Sequence, residues 1–145
     1  TSDFTIEIFA KINSFSEYYP RVFVLGEYDG VDAGHLQLQI ASDGSSVLYI
    51  NNGSSFSVGS SINPIGTALK HHCVMRKDGV FYYYLDGVLQ STNNSHLTYS
   101  INQTTFRLGG YDRNVVAYKS SVRITRHARY DLTGFTPPSE MFQTS

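Results

Sequence analysis

The sequence lacks several features that would assign a protein to a class at once. Its 145 residues include a single cysteine, Cys73, and no tryptophan. A single thiol cannot form an internal disulfide, so the fold must be stable from its packed core alone. Cys73 precedes Val74 and Met75 in an apolar stretch, where a cysteine is typically a small buried hydrophobe and not a nucleophile.

Charge is also scarce. Only 16% of the residues are charged and the formal net charge is −1. The chain therefore has no basic footprint for nucleic acid or for an anionic membrane surface. No apolar run approaches the length of a membrane span, and the opening residues, Thr1–Ile8, do not have the pattern of a signal peptide. We expect neither nucleic-acid binding nor membrane insertion.

Aromatic residues and glycine are plentiful instead, with 11 tyrosines, 9 phenylalanines and 12 glycines. Amphipathic runs rich in alanine, or in glutamate and lysine, are missing from the sequence. This composition favours an all-β protein. A chain of this length buries about two-thirds of its unfolded surface as one domain, so we predict a single domain over residues 1–145.

The clearest local pattern is a three-stranded meander within His71–Thr92. The pairs Asp78-Gly79 and Asp86-Gly87 bracket the aromatic segment Val80–Leu85. Asp-Gly between apolar segments predicts a type I′ hairpin turn, because both central residues need positive φ. Alternation within the aromatic strand separates Tyr82 and Tyr84 from Phe81 and Tyr83, so at least one of these sets must lie in a core.

Further strands follow from alternation and from turn residues. In the first, Ile6 and Ile8 share one face while Glu7 and Phe9 share the other; in the third, Leu36 and Leu38 point inward and Gln37 points outward. The predicted strands outside the meander are Asp3–Ile12, Arg21–Tyr28, His35–Ala41, Ser46–Ile50, Ser54–Val58, a short strand between Asn93 and Asn102, Thr105–Tyr111, and Tyr118–His127 with Val122 and Ile124 facing the core. About ten to twelve short strands indicate a β-sandwich or a barrel.

Particular motifs resemble a known family. Leu69–Arg76 is similar to the family's Trp-x-His strand ending in arginine, with Leu69 in place of the tryptophan, and Tyr84–Val88 is similar to its Tyr-Val-Asp-Gly hairpin. Phe106–Gly110 resembles the strand before the last loop. The closing residues Val122–Arg126, Ala128–Tyr130 and Phe135–Pro138 resemble the end of such domains in phage tail and other virion proteins. The chain thus resembles the concanavalin A-like lectin/glucanase superfamily, in its laminin-G and pentraxin-like branch.

The resemblance implies a jelly-roll β-sandwich of two antiparallel sheets, with ligands on a concave face or at the rim loops. It also implies that the shared motif is structural. We expect His71 to be a hydrogen-bonded histidine of the scaffold, and Asp86 to be a turn residue whose carboxylate accepts hydrogen bonds from its own turn backbone.

Catalysis is the first functional alternative. Glycoside hydrolysis needs two carboxylates across one cleft. Glu27, Asp29 and Asp32 are a superficial match to the acidic strand of the superfamily's glucanases, but Gly30 and Gly34 place these acids in a loop, where alternation no longer directs them to one face. We therefore expect a protein that is not an enzyme.

Metal binding is the second functional alternative. Asp29 and Asp32, with Asp43 and Asp112, lie in glycine-rich loops and carry the oxygen ligands that Ca²⁺ prefers, although Asp beside Gly is also the commonest turn composition. Many relatives bind calcium at a rim loop. A zinc site on His71, His72 and Cys73 is disfavoured, because adjacent strand residues point to opposite faces.

Carbohydrate binding is the leading prediction. Aromatic rings stack on sugar faces, while amides and carboxylates bond hydroxyl groups. Tyrosines at a core edge would also keep their hydroxyls wet without any ligand. The predicted ligand-binding residues are Tyr18, Tyr19, Tyr28, Asp29, Asn52, Tyr111, Asp112, Arg113, Asn114 and Tyr118, of which the Tyr111 loop is the densest group.

A structural or protein-interaction module without a sugar site is the competing prediction. An exposed apolar patch at Phe9, Phe15 and Tyr18 would favour it. The resemblance implies a virion or extracellular location, a cell-surface glycan as partner, and possible partners in other virion proteins or in a homotrimer. The sequons at Asn52, Asn93 and Asn102 matter only in a eukaryotic secretory pathway.

Overall fold

The computed structural model describes residues 2–14, 20–26, 35–41, 43, 45–51, 55–59, 68–94, 105–109, 116–139 and 142, with backbone only for 51, 55–59 and 116–119. These residues form β-strands and no helix, so none of them belongs to a helix that could cross a membrane. The strands are β1 (Phe4–Ser14), β2 (Arg21–Leu25), β3 (His35–Ile40), β4 (Ser46–Asn51), β5 (Ser55–Gly59), β6 (Lys70–Lys77), β7 (Val80–Leu85), β8 (Val88–Asn93), β9 (Phe106–Leu108) and β10 (Val116–Thr125).

The strands form two antiparallel five-stranded sheets. The first sheet has the order β10-β1-β6-β7-β8, and the second has the order β5-β4-β3-β2-β9. Strands β5 and β8, at one edge of each sheet, are in contact. The inward residues of both sheets form one buried cluster, which includes Ile6, Leu38 and Tyr83. The predicted all-β sandwich of two antiparallel sheets is confirmed.

The meander is present as β6, β7 and β8. Asp78 and Gly79 have φ values of 50° and 86°, and Asp86 and Gly87 have values of 50° and 76°. Both turns therefore use the left-handed conformations that a type I′ turn requires. Asp86 is a turn residue as predicted, but the prediction that its carboxylate bonds its own turn backbone is wrong. The carboxylate accepts hydrogen bonds from the backbone N–H of His71 at 2.9 Å and from Lys70 Nζ at 2.6 Å, both on the neighbouring strand β6.

Strand ends differ from the predictions by a few residues. The second strand ends at Leu25 because Gly26 adopts a φ of 95°, and β10 runs over Val116–Thr125 instead of Tyr118–His127. The predicted core position of Val122 is confirmed, since it packs against the central cluster. Ile124 is wrong as a core residue: it lies opposite the buried Ile6 but on an edge strand, and it is 49% exposed.

A second apolar cluster lies on the outer face of the first sheet. Its buried members are Cys73, Met75 and Tyr84, and the residues packed against them include Tyr130 and Phe135 from the C-terminal segment, residues 126–139. Both alternating sets of the aromatic strand are thus largely buried, Phe81 and Tyr83 between the sheets and Tyr82 and Tyr84 under the C-terminal segment.

Candidate functional site

The most charged group of side chains surrounds Glu7 on the outer face of the first sheet. Glu7 lies midway along β1 and its side chain is fully buried. Alternation turns Ile6 and Ile8 into the central core, so Glu7 points to the other face. A buried carboxylate is unfavourable unless its oxygens are paired, and here they are.

Three residues donate hydrogen bonds to the Glu7 carboxylate. Arg123, its register partner on β10, donates from Nε at 2.7 Å and from a terminal nitrogen at 3.0 Å. His71 on β6 donates from Nε2 at 3.1 Å, and the Tyr130 hydroxyl of the C-terminal segment donates at 2.6 Å. Arg129 Nε lies 3.6 Å from the carboxylate, close enough for an ion pair.

These contacts set the protonation state of the cluster. Burial raises the pKa of Glu7, but the hydrogen bonds from His71, Arg123 and Tyr130 outweigh it and lower the pKa to about 2. The Arg123 pKa is raised by the same pairing, and burial together with Glu7 raises the pKa of Tyr130 to about 12. Glu7 therefore stays ionised and saturated with donors, which suits an anchor and not a general acid.

The C-terminal segment is held at both of its ends. Near its start, Thr5 Oγ1 donates to the carbonyl of His127 at 2.8 Å and accepts from the N–H of Arg129 at 3.1 Å. Further on, the N–H of Phe135 donates to the carbonyl of Gly87 at 3.0 Å. Tyr130 and Phe135 stack with ring centroids 3.7 Å apart. The segment covers Cys73, and burial raises the pKa of its thiol.

The adjacent residues His71, His72 and Cys73 alternate across β6, as the argument against a shared zinc site expects. His72 points between the sheets, where its Nδ1 lies 2.8 Å from the hydroxyl of Tyr83, and burial lowers its pKa to about 3. His71 and Cys73 lie on the opposite face of β6. The structural role expected for His71 agrees with this geometry. No group of three possible metal ligands occurs within the described part of the chain.

The outer face of the second sheet is different. On β3, Leu36, Leu38 and Ile40 lie in the central core, so His35, Gln37 and Gln39 point away from it. These outward polar side chains are nevertheless buried, with Gln37 only 3% exposed. Buried polar side chains outside the core need hydrogen-bond partners, so the contacts of these residues decide what this face can do.

The register extends this row across the sheet. Gln37 lies opposite Val24 on β2 and opposite Tyr49 on β4, and Val24 lies opposite Arg107 on β9. Directly opposed residues in antiparallel strands share a face. Arg107, Val24, Gln37 and Tyr49 therefore form one cross-strand row on the outer face, which we call the Gln37 row.

Hydrogen bonding fixes the carboxamide at the centre of this row. Gln37 Nε2 donates to Gln39 Oε1 at 2.9 Å, while Gln37 Oε1 has no hydrogen-bond donor among the described residues. The ring of Tyr49 meets that of His35 edge-on, with centroids 6.4 Å apart. The row thus places an oriented acceptor beside an aromatic ring.

Most of the residues predicted to bind ligand are not described by the structure. Tyr18, Tyr19, Tyr28, Asp29, Asn52, Tyr111, Asp112, Arg113 and Asn114 are outside the described residues, as are the tentative metal ligand Asp32 and the acidic residue Glu27. Tyr118 lies on β10 opposite Lys11. These assignments remain predictions.

Two other predicted features fall on described residues. Asp43 accepts hydrogen bonds from the N–H and hydroxyl of Ser45 at 2.9 and 2.6 Å, which lowers its pKa and identifies it as a turn residue. Phe9, part of the predicted apolar patch, is partly buried and contacts the rings of His71 and Phe142. Phe15 and Tyr18, the other members of that patch, are outside the described residues.

The Gln37 row was missed at the sequence level. The alternation of β3 predicts that Gln37 and Gln39 point outward, and this is confirmed. The available signal was the run His35-Leu36-Gln37-Leu38-Gln39, in which every outward residue is a hydrogen-bonding side chain. Its significance depends on the burial of these residues, which alternation does not predict.

Comparison with known proteins identifies the family. A family model of the concanavalin A-like lectin/glucanases superfamily matches residues 1–130. The chain belongs to this superfamily. The resemblance inferred from the motifs is thereby confirmed at the level of the superfamily. A search of curated proteins found no match.

Solved structures of similar fold include a carbohydrate-binding module, a pentraxin and a trans-sialidase. The carbohydrate-binding module CBM40 of the Ruminococcus gnavus IT-sialidase, bound to α2,3 sialyllactose, has a TM-score of 0.68 and 15% identity, covering 89% of this chain and 78% of that one. A heptameric pentraxin from Limulus polyphemus has a TM-score of 0.63 and 14% identity, with 88% and 65% covered. A leech intramolecular trans-sialidase has a TM-score of 0.68 and 14% identity, and the match covers 96% of this chain but 24% of the enzyme. At such identities the likeness concerns the fold.

Proposed function

We propose that this chain is a non-catalytic glycan-binding module whose ligand contacts the outer face of the second sheet. The observation that carries the proposal is the Gln37 row, which presents the partly exposed ring of Tyr49 and the exposed Arg107 on one face, since aromatic rings and hydrogen-bonding side chains are the two elements of sugar recognition. Membership of a lectin/glucanase superfamily supports it. So does the solved carbohydrate-binding module of similar fold that holds sialyllactose.

The absence of catalysis is part of this proposal. The described carboxylate most shielded from water, Glu7, is saturated by donors and held ionised under the C-terminal segment. The acids Glu27, Asp29 and Asp32 stay the alternative for glycoside hydrolysis. Incubation of the chain with sialyllactose, followed by detection of released sugar, distinguishes a binder from a hydrolase.

The loop residues predicted from the sequence belong to the same proposal. Asp112 and Arg113, in the Tyr111 loop, would add polar contacts at the rim of the sandwich. Calcium at Asp29 and Asp32 would raise both affinity and thermal stability, which a titration with chelator measures.

The decisive experiment is a glycan array probed with the folded chain in the presence of calcium. We expect binding to at least one glycan, and a weaker signal for the double variant Asp112→Ala/Arg113→Ala if the loop takes part. Sialyllactose and lactose should be included as a pair that differs only in the acidic sugar. Failure of the chain to bind any glycan, with its fold and oligomeric state verified, would contradict the proposal.

We further propose that the module acts in attachment to a host cell, as part of a virion or an extracellular protein. Support comes from the resemblance of the closing motif, Val122–Pro138, to domains of phage tail proteins. A homotrimer would fit a fibre. Light scattering of the purified chain gives the oligomeric state, and binding of the fluorescent chain to cells before and after glycosidase treatment tests attachment.

A protein-interaction module is the second candidate, and one observation favours it. Leu108 and Ile124 are 50% and 49% exposed on the edge strands β9 and β10. Exposed apolar side chains on unpaired strand edges suit contact with another protein. A chain that binds no glycan but loses self-association or partner binding on Leu108→Ser/Ile124→Ser would support this candidate.

A further inference from the structure

The two sheets end in edge strands on both sides of the sandwich. Strands β5 and β8 are in contact on one side, so the opposite edges, β9 and β10, lie together on the other side, which we call the open side. No described residue pairs with the outer edge of β9 or β10. An unpaired edge strand presents backbone N–H and C=O groups with which another chain can pair. The open side is separate from the outer face on which the glycan proposal depends.

Inward-facing side chains of both edge strands are exposed on the open side. Ile124 lies opposite Ile6 and Leu108 lies opposite Phe23, and both of these partners belong to the central core. Directly opposed residues share a face, so Ile124 and Leu108 point inward. They are nevertheless 49% and 50% exposed. Side chains of an added strand would remove this apolar surface from water.

The hydrogen-bond pattern of the first sheet shows where the backbone groups of β10 point. The N–H of Asp86 donates to the carbonyl of His71 at 2.8 Å, which fixes the alternation of hydrogen-bonded pairs between β7 and β6. The register continues without a shift from β6 to β1, so Glu7 and Arg123 form a hydrogen-bonded pair of β1 and β10. The N–H and C=O groups of Ile124, the next residue, therefore point away from β1. Ile124 thus directs its side chain inward and its backbone groups to the unpaired edge.

A β-bulge limits the length of this edge. The register between β1 and β10 shifts between Ile8 and Ala10, which leaves 122–125 as the regular part of β10. Bulges and short edges hinder the pairing of whole sheets. The edge of β10 therefore suits a short extended segment.

The charge of β10 selects the partner. Glu7 offsets one cationic charge of this region. A second copy paired symmetrically through β10 would set its own Arg123 opposite Arg123, and like charges directly opposed are destabilising. A partner strand with a carboxylate at that position is favoured instead. Residues 116–129 contain no aspartate or glutamate and four cationic residues, Lys119, Arg123, Arg126 and Arg129.

Arg123 has the capacity to bind such a carboxylate. Its Nε and one terminal nitrogen donate to Glu7, and the same terminal nitrogen donates to Tyr130. Among the described residues, none accepts a hydrogen bond from the other terminal nitrogen, and the side chain is partly exposed. A guanidinium group has several N–H donors in one plane, so it can bridge two carboxylates.

We propose that β10 binds an extended acidic segment of a partner protein as an added antiparallel strand. Apolar residues of the segment lie opposite Val122 and Ile124 and extend the inner face, and a carboxylate lies opposite Arg123 on the outer face. The recognised class is a peptide in which apolar and acidic residues alternate. Antiparallel addition is favoured because every described strand pair of this sheet is antiparallel.

The test uses a fluorescent, capped heptapeptide of alternating valine and glutamate, titrated with the unmodified chain and followed by fluorescence anisotropy. In the proposed register the valine N–H groups donate to β10 and the glutamate N–H groups point away from it. N-methylation of the valines should weaken binding about 10-fold or more, and N-methylation of the glutamates should change it less than about 2-fold. A peptide with lysine in place of glutamate should also bind about 10-fold more weakly.

Two proline variants of the protein locate the binding edge. Ile124→Pro removes the N–H group that points away from β1 and keeps the hydrogen bonds of the sheet, and it should weaken binding of the unmodified peptide about 10-fold. Leu108→Pro is the matched control. The N–H of Gly109 donates to the carbonyl of Val22 at 2.9 Å, so the N–H of Leu108 points away from β2 in the same way. Leu108→Pro should keep the affinity within about 2-fold.

Several outcomes would overturn the proposal. They are failure of the unmodified chain to bind the valine–glutamate peptide, equal affinities for the two N-methylated peptides, and a loss with Leu108→Pro but not with Ile124→Pro. Self-association of the chain that Ile124→Pro abolishes, measured by sedimentation, would assign the edge to a second copy and would also overturn it. The peptide comparisons use the unmodified chain, so they decide the question even if a proline variant misfolds. Glycan binding by the second sheet is tested separately by the array and is unaffected by each of these results.

Discussion

The outer faces of the two sheets carry buried polar side chains for opposite reasons. On the first sheet, Glu7 collects donors from His71, Arg123 and Tyr130, and the C-terminal segment closes over the cluster. On the second sheet, Gln37 is equally withdrawn from solvent, yet its Oε1 has no donor among the described residues. The carboxylate on the first face is saturated with donors, as a structural anchor requires, whereas the amide on the second face keeps an acceptor oxygen for which the described residues offer no donor.

The residues of the family motif belong to the first of these two faces. Residues of the resembled pattern meet on the first face: His71 from the β6 motif, Gly87 from the hairpin, and Arg123, Tyr130 and Phe135 from the closing motif. They attach the C-terminal segment to the sheet. The motif therefore identifies the fold and carries no information about a ligand.

The largest loss of stability is expected for a substitution of Glu7. Glu7→Gln keeps the shape but removes the charge that Arg123 and Arg129 pair with, and it directs an amide N–H group toward other donors. We expect a loss of about 3 kcal/mol in the free energy of unfolding, since two partly buried guanidinium groups lose their counter-ion and the buried donors lose a charged acceptor. Urea denaturation measures it, with the exposed Asp43→Asn as control. A change below about 0.5 kcal/mol would show that the cluster does not anchor the segment.

Protonation of Glu7 should also lower the free energy of unfolding at acid pH, by nearly the same amount. The pKa of Glu7 is lowered from 4.5 to about 2 in the folded protein. A depressed carboxyl pKa contributes stability above its unfolded value, and this contribution disappears as the pH falls through the folded value. Unfolding free energy should fall by about 3 kcal/mol between pH 5 and pH 2 on account of Glu7.

Chemical denaturation across that pH range checks this expectation. The Glu7→Gln variant lacks the titrating group, so its stability should fall less steeply with acid than that of the unmodified chain. Parallel curves for the two proteins would contradict the assignment of the lowered pKa to Glu7.

A smaller effect is expected at Gly87. Its φ is 76°, and a Cβ atom at this position would overlap the carbonyl oxygen of Phe135 in the docked segment. We expect Gly87→Ala to cost about 2 kcal/mol. Gly79→Ala is the matched control, because Gly79 occupies the same position of the other hairpin turn with a φ of 86°. Equal losses for both variants would mean that the backbone conformation alone matters and that the contact with Phe135 does not.

The fold could be predicted well from the sequence because its signals are local. Period-two alternation in Phe4–Ile12 and His35–Ala41, and positive φ at the Asp-Gly pairs, depend on neighbouring residues only. The anchor could not be predicted in this way. Glu7 reads as an outward polar residue of β1, and it becomes buried only because Tyr130, 123 residues later, docks on it.

The candidate site could not be predicted from local sequence signals either. Alternation correctly predicts that Gln37 faces away from the core, and by itself this suggests a solvated side chain. Its burial and its bond to Gln39 depend on what surrounds the outer face, which is tertiary information. Glycine and tyrosine content favours the loops as binding sites instead. Turn residues are recognised from adjacent positions in the sequence, whereas the residues of the Gln37 row come from four separate strands.

The smallest effect on stability is expected for a substitution of Gln37, on the second face. Gln37→Met is, like Glu7→Gln, close to isosteric and nearly fully buried. The substitution removes the hydrogen bond to Gln39, and this loss lowers stability. It also removes a buried acceptor for which the described residues offer no donor, and this change raises stability. We expect the free energy of unfolding to change by less than about 1 kcal/mol. Urea denaturation beside Glu7→Gln measures both substitutions under the same conditions. A loss as large as that of Glu7→Gln would mean that Gln37 holds the fold together as Glu7 does, and the contrast between the two outer faces would fail.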